Sequence, residues 1–450
     1  ALIFAAGAAY VITHHSTYAA GGVLGDDVTP LEYARTQPGV ILHYLRLVFW
    51  PAGQCLDYGW PVATSFAEIV PPLLALLALL ALTSWAAVHR PALGFLGGVF
   101  FILLAPSSSF APLRDLAFEH RMYLPLAAVV TFIAAEVASL ARSHRGEGAS
   151  RNDHRRSLIL TGIAAGVCVI LGTGSHARNR VYANSFSAWE DVVEKAPANW
   201  RGHYNLGTEY MKAGDFARAE PLLRETIALR PTSYDAHFNL AIVLRGLGRF
   251  DESLASFTAA EEIRSDDPQL FANRGALLWD LGRSNDALRD YERALQLDAG
   301  NVLALTNYAQ TLMEQDRPAE AVMLLRRAIL SEPRRADVYV RLGLALAALG
   351  ETCEAQVALE KAVEMNPRSP QAHYNLGRLL ISSRPDLAAR HFEATVRLDP
   401  GISDAHNNLG VLFESGDPRR AIRHYQDAVR ADPSNLKARS NLQSLLRSSP

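Results

Sequence analysis

Two sets of residues in this chain of 450 are spaced for chemistry. The first lies in the polar run PSSSFAPLRDLAFEHRMYLP at 106–125, between apolar stretches. It brings Asp115, Glu119, His120, Arg121 and Tyr123 close together. A carboxylate beside basic and phenolic groups can transfer a proton, while arginine, histidine and tyrosine can donate to phosphate oxygens. Asp115 and Glu119 are thus the catalytic candidates, and His120, Arg121 and Tyr123 the candidates for a phosphate site. The competing reading is a solvated loop whose Tyr123 and Arg121 sit at lipid headgroup level. Asp26–Asp27 reads as a solvated turn, Asp57 is ambiguous between two apolar elements, and Glu136 lies inside an apolar segment near its end.

The second set is a column. Asn205, Asn239, Asn273, Asn307, Asn375 and Asn408 recur at a regular interval, and Arg341 takes the place once. A carboxamide both donates and accepts, so a row of them can pair with the amides of an extended peptide whatever its side chains. The alternative is that each asparagine bonds within its own helix pair. A parallel histidine column (His203, His237, His373, His406) reads as packing at an aromatic position, so no metal is expected there. The three cysteines, Cys55, Cys168 and Cys353, are too far apart for a disulfide framework or a zinc pattern.

The elements that must carry these residues differ between the two halves. The apolar half, 1–175, contains runs at 69–88, 91–105, 123–141 and 158–174 that approach the length needed to cross a hydrocarbon core. The opening run at 1–12 starts mid-segment without Met, which predicts a truncated span and a missing N-terminal part. The run at 39–50 carries His43 and Arg46 and is expected as an interfacial or re-entrant helix, with a marginal span as the alternative. The loop at 142–156 holds five arginines against Glu147 and Asp153, which predicts a cytoplasmic loop and repeats on the other face of the membrane. With 44 basic and 46 acidic residues there is no nucleic-acid footprint.

In the other half, HYNLG, HFNLA, FANRG, LTNYA, YVRLG, HYNLG and HNNLG recur with a period of about 34 residues. In register with them run small residues (Ala219, Ala287, Ala321, Ala355, Ala388, Ala421) and large ones (Leu223, Phe257, Tyr291, Leu325, Leu359, Phe392, Tyr425). Prolines at 231, 333, 367, 400 and 433 close the second helix in five of the seven units. This resembles the tetratricopeptide repeat: seven helix hairpins over 200–435, a joining helix within 176–199 and a capping helix in 436–450. The expected fold is therefore all-α, a polytopic transmembrane domain followed by an α-solenoid. The asparagine column resembles the ladder of the O-GlcNAc transferase repeats, which implies an extended peptide or protein as partner.

Phe118-Glu119-His120-Arg121-Met122-Tyr123-Leu124-Pro125 resembles the ER-x-x-YLP segment of the transmembrane and tetratricopeptide repeat-containing proteins. Tyr44–Pro51 and Leu56–Pro61 look like that family's juxtamembrane segment. The resemblance implies a membrane glycosyltransferase of the GT-C type, moving a mannose-like sugar from a polyprenyl-phosphate donor to Ser/Thr of proteins held by the repeats. Glu119, Tyr123, Leu124 and Pro125 align directly, whereas His120 stands where the family has arginine. The alternative is a non-enzymatic, membrane-anchored scaffold. Alanine, arginine and leucine usage suggests a bacterial inner membrane with periplasmic repeats, or the endoplasmic-reticulum lumen in a eukaryote.

Overall fold

The structure, a computed structural model, describes residues 29–49, 54–104, 180–181 and 183–448. Among them every regular element is a helix. Two compact units divide the chain, Ala1–Val243 and Leu244–Pro450. The first holds α1 (Pro30–Phe49), α2 (Phe66–His89), α3 (Pro91–Leu104), α4 (Ser185–Lys195), α5 (Trp200–Lys212), α6 (Phe216–Leu229) and most of α7 (Tyr234–Gly246). The second continues with α8 (Phe250–Ile263), α9 (Pro268–Asp280), α10 (Ser284–Leu297), α11 (Val302–Glu314), α12 (Pro318–Ser331), α13 (Ala336–Ala348) and α14 (Thr352–Met365). It ends with α15 (Pro370–Leu380), α16 (Pro385–Leu398), α17 (Ser403–Phe413), α18 (Pro418–Ala431) and α19 (Leu436–Ser448).

Helix α2 begins where Glu68 turns back to accept the Thr64 and Ser65 N–H groups at 2.9 and 3.3 Å, satisfying donors near the helix start. Its 24 residues rise about 36 Å, enough for a hydrocarbon core of about 30 Å. Leu74, Leu77, Leu82 and Trp85 are exposed along it. Among the described residues α2 alone is long and apolar enough to cross a membrane. Helix α3 was the second expected span, but its 14 residues rise only about 21 Å. The expected polytopic domain thus reduces, among the described residues, to one helix of membrane length. The expected spans at 1–12, 123–141 and 158–174 and the basic loop at 142–156 lie outside the described residues.

Helices α2 and α3 meet at backbone distance. A Cβ on Gly94 would lie 2.2 Å from Ala87 Cα, and one on Gly97 would lie 2.8 Å from Thr83 Cγ2. Small residues allow such an approach between apolar helices. The helix expected at 39–50 starts earlier, at Pro30, and does more than lie at an interface. Val40, Ile41, Tyr44 and Leu47 are buried in one cluster with Phe100, beside Tyr58, Trp60 and Leu76. Apolar content alone does not separate a helix in a membrane interface from one packed beneath its neighbours.

The repeats are helix hairpins, with A helices α5, α7, α9, α11, α13, α15 and α17 each followed by a B helix. Asn199, Asp267, Asn301 and Ser369 cap A helices, their side-chain oxygens accepting N–H groups two or three residues on. Ala219, Ala287, Ala321, Ala355, Ala388 and Ala421 have no exposed surface. Ala219, Ala287 and Ala355 face A-helix glycines: a Cβ on Gly275 would lie 3.2 Å from the Ala287 carbonyl oxygen and 2.6 Å from Tyr291, and one on Gly343 would lie 3.2 Å from that of Ala355. Small residues on both sides let the two backbones touch, and the large column fills the space beside them. Leu223, Phe257, Tyr291, Leu325, Leu359, Phe392 and Tyr425 are all buried, each contributing on the order of 2–3 kcal/mol.

The turn from A to B is left-handed at Gly214, Gly248, Gly282 and Gly350, with φ between 72° and 79°. Asp316 holds the same turn in the fourth repeat at φ 59°, a conformation aspartate tolerates better than most residues. In the second unit each B helix packs on the next A helix, and α9 also touches α11, α11 touches α13, α13 touches α15 and α17 touches α19. The A helices from α9 to α15 are thereby neighbours in turn.

Candidate functional site

Asn205 and Asn239 lie on A helices of the first unit and Asn273, Asn307, Asn375 and Asn408 on those of the second; all are half-buried or, for Asn239, buried. In three of them one amide N–H is committed to the helix that carries it. Asn205 donates to the Arg201 carbonyl at 2.8 Å, Asn273 to that of Gln269 at 2.8 Å and Asn375 to that of Gln371 at 2.9 Å. This bond is the within-repeat alternative raised by the sequence, and it has a second effect: it fixes the carboxamide plane and leaves the oxygen uncommitted. Asn239 differs, donating to Tyr204 Oη and Thr208 Oγ1 of the preceding A helix, both at 3.3 Å. The side chains of Asn307 and Asn408 make no hydrogen bond among the described residues. Arg341, the exception in the column, reaches back to Gln310 Oε1 at 3.0 Å.

Sequence reasoning missed a second set of bonds on these helices. Arg245 Nε donates to Asp280 at 2.6 Å, Trp279 Nε1 to Glu314 at 3.0 Å and Asn441 Nδ2 to Asn407 at 3.0 Å. Each joins one A helix to the next helix of its kind or to α19. The signal was available as polar pairs one repeat apart. Two clefts in the second unit are lined by other residues: one of about 460 Å³ by Tyr308, Met323 and Arg327 among others, and one of about 570 Å³ by Tyr339, Cys353 and Val357 among others.

Asp57, ambiguous in the sequence, is a fastening. Its carboxylate is fully buried and takes both arms of Arg201, at 2.7 Å from Nε and 2.9 Å from Nη2. The same carboxylate accepts the Gly59 N–H at 2.9 Å, while Asn199 Nδ2 donates to the Asp57 carbonyl at 3.1 Å. Gly59 has φ +56°, and a Cβ there would stand 2.7 Å from Asn199 Cβ, so glycine is required twice over. Lys195 adds a bond from Nζ to the Gln54 carbonyl at 2.7 Å. Cys55 is buried beside this knot, and burial pushes its thiol up to about 11.

Three histidines of the column tie their A helix to the proline-bearing turn before it. Nε2 of His203, His237 and His373 lies 2.8, 3.0 and 3.1 Å from the carbonyls of Pro197, Pro231 and Pro367. A carbonyl only accepts, so Nε2 carries the hydrogen and Nδ1 presents its lone pair. In the last two repeats that lone pair meets a second histidine on the B helix, His391 opposite His373 and His424 opposite His406. Burial holds His391, His406 and His424 below the usual histidine range.

Asp26, Asp27, Asp115, Glu119, His120, Arg121, Tyr123, Glu136 and Cys168 lie outside the described residues. Within them, the third repeat breaks the Leu-Gly pattern with Arg274, and the structure supplies the reason. Arg274 is gripped by Asp290 at 2.7 and 2.9 Å and also paired with Glu261.

Two family models described as tetratricopeptide repeat match this architecture, one at 204–268, 340–383, 379–435 and 411–442, the other at 278–342. The chain belongs to the tetratricopeptide-repeat family. No curated protein is significantly similar to it. Among solved structures, these tetratricopeptide repeats are similar to YrrB, a tetratricopeptide-repeat protein described with an unusual peptide-binding site. That match is 26% identical, covers 42% of this chain and 97% of YrrB, and has a TM-score of 0.35. MamA is 27% identical over 36% of this chain and 96% of its own, with a TM-score of 0.34. A tetratricopeptide-repeat protein from Parabacteroides merdae is 16% identical over 55% of this chain and 98% of its own, with a TM-score of 0.44.

Proposed function

We propose that this chain is a membrane-anchored scaffold whose tetratricopeptide repeats hold an extended segment of another protein. The observation that carries the reading is the set of asparagine carboxamides in the second unit. Asn273 and Asn375 each keep an acceptor oxygen and one N–H beyond the bond to their own helix, and Asn307 and Asn408 keep the whole carboxamide. Such groups recognise backbone amides rather than a particular side chain. The test is a displayed random-peptide library selected against the full chain in nanodiscs. Each lost hydrogen bond contributes about 1 kcal/mol, so replacing Asn273, Asn307 and Asn375 together by alanine is expected to weaken the selected peptides roughly a hundredfold. Affinities that stay within a factor of two in that variant, with helicity unchanged, sink the reading.

The anchor in this proposal is α2, with lipid as its partner. The segment just before α2 is bonded through Asp57 to Arg201 of the first repeat, which supports putting the repeats and the N-terminal end of α2 on one side of the bilayer. The other end carries His89 and Arg90, and basic residues favour the cytoplasm, so the repeats belong outside it. Cys353 is exposed in the repeats and Cys55 is buried. A membrane-impermeant maleimide added to intact spheroplasts should therefore modify Cys353 and spare Cys55, read by peptide mapping. Modification of Cys353 only after permeabilisation reverses the orientation.

Sugar transfer from a polyprenyl-phosphate donor is the second reading, with Asp115 and Glu119 as acids and His120, Arg121 and Tyr123 on the phosphate. It is favoured by the string Phe118–Pro125. Glu119→Gln should then lower transfer to a Ser/Thr acceptor by about a hundredfold or more, in line with the loss of a general acid or base. Unchanged transfer removes Glu119 from the reaction.

A further inference from the structure

We propose that His406, His424 and Asp427 form a site for one divalent transition-metal ion of the zinc class, stapling the two helices of the last repeat. His406 stands on α17, while His424 and Asp427 stand three residues apart on α18 and so share a face of that helix. One ligand atom from each lies within 4.8 Å of the others, and among the described residues no other group of three is so placed.

The distances favour an ion over a hydrogen bond. His373 and His391, the equivalent pair in the preceding repeat, are 3.0 Å apart between their Nδ1 atoms, which suits one ring donating to the other. His406 and His424 are 3.5 Å apart at the same atoms, beyond a good hydrogen bond. Two imidazole nitrogens bound to zinc at about 2.0–2.1 Å, at a tetrahedral angle, stand about 3.4 Å apart. The last pair therefore has the spacing of two ligands, and it has a carboxylate beside it where the preceding pair completes no such trio.

The surroundings suit a ligand set. His406 is buried, with the Pro400 backbone beside its ring. The His424 ring stacks on Phe413 at 5.8 Å between centroids, which fixes its plane. Asp427 is half-buried, and its side chain, 39% exposed, gives the ion a way in. One of its oxygens takes Arg430 Nη1 at 2.8 Å, and the other remains for the metal. Arg420, a further cation, lies over the Phe413 ring and is paired with Glu393, which draws its charge away. Two imidazoles and one carboxylate suit zinc, nickel or copper(II), and leave room for a water ligand.

The experiment uses the untagged full chain in detergent, stripped with a chelator and titrated with Zn²⁺ calorimetrically and with Co²⁺ by visible absorption. The wild type is expected to show one site with the ligand-field bands of four-coordinate cobalt. His424→Gln and Asp427→Asn should each weaken that site at least tenfold, whereas His391→Gln in the preceding repeat should leave it unchanged. Circular dichroism establishes that the variants are folded. If His424→Gln does not fold, the half-buried Asp427→Asn decides alone. Binding that is absent, that is equal in Asp427→Asn and wild type, or that follows His391 instead overturns the proposal.

Discussion

Replacing Arg201 by alanine is expected to release residues 54–60 from the first repeat at a cost of about 3–5 kcal/mol. Asp57 has no exposed surface and lies at bonding distance from both Arg201 nitrogens. Without the guanidinium, an ionised carboxylate would be left in the interior with only the Gly59 N–H to compensate it. Such a charge either takes up a proton or leaves, and leaving is the easier course for a short connection. Hydrogen exchange read by mass spectrometry should show peptides over 54–63 losing protection by two to three orders of magnitude, with the α13–α18 hairpins unchanged. Asp57→Asn keeps an acceptor for Gly59 and part of the arginine grip, so its effect should be smaller. Equal exchange in wild type and Arg201→Ala would mean that the packing of Tyr58 and Trp60 holds the segment by itself.

A loss of similar size is expected for Arg274→Ala. Arg274 is one-seventh exposed, and it neutralises Asp290 through two bonds and Glu261 through a third. Alanine there leaves two carboxylates facing each other beside a cavity, and about 3–5 kcal/mol should be lost from the second unit. The double substitution Arg274→Leu with Asp290→Leu separates charge from volume. Other repeats carry buried Leu342, Leu376 and Leu409 in the place of Arg274. An apolar pair should therefore restore stability to within about 1 kcal/mol or exceed the wild type, since buried ion pairs often do no better than well-packed hydrocarbon. Glu261 is about one-third exposed and can turn to water. Urea unfolding of both variants reads the difference. A double variant as unstable as Arg274→Ala would assign the loss to shape rather than to charge.

The hairpins were legible because they are local. A period of 34 residues, a glycine opposite an alanine and a proline behind most B helices are short-range facts, and the helices that form follow from them. The asparagine column was legible too, but half of its chemistry was not. Whether Asn273 turns to its own helix or Asn239 to the preceding one depends on what its neighbours offer, and no spacing encodes that. Asp57 was opaque for a different reason: its partner is Arg201, far along the chain, and a single carboxylate between apolar runs has many possible partners. The membrane half was read by hydropathy, which measures how a side chain dislikes water and not what shields it. That is why α1, with its buried Tyr33 and Tyr44, proved to be a packed helix. The 3.5 Å gap between His406 and His424 could not be foreseen, because the preceding repeat has the same two histidines at 3.0 Å.

The knot around Asp57 also bears on mechanics. Lys195 holds Gln54 while Arg201 and Asn199 hold Asp57, so the strand leading into α2 is riveted to α4 and α5 at two points in parallel. A partner tugging on the first repeat would load those rivets in shear, and the pull would arrive at the head of α2 with little slack. The joint behaves as a strut where a disordered linker would behave as a rope, and a strut transmits torque as well as tension.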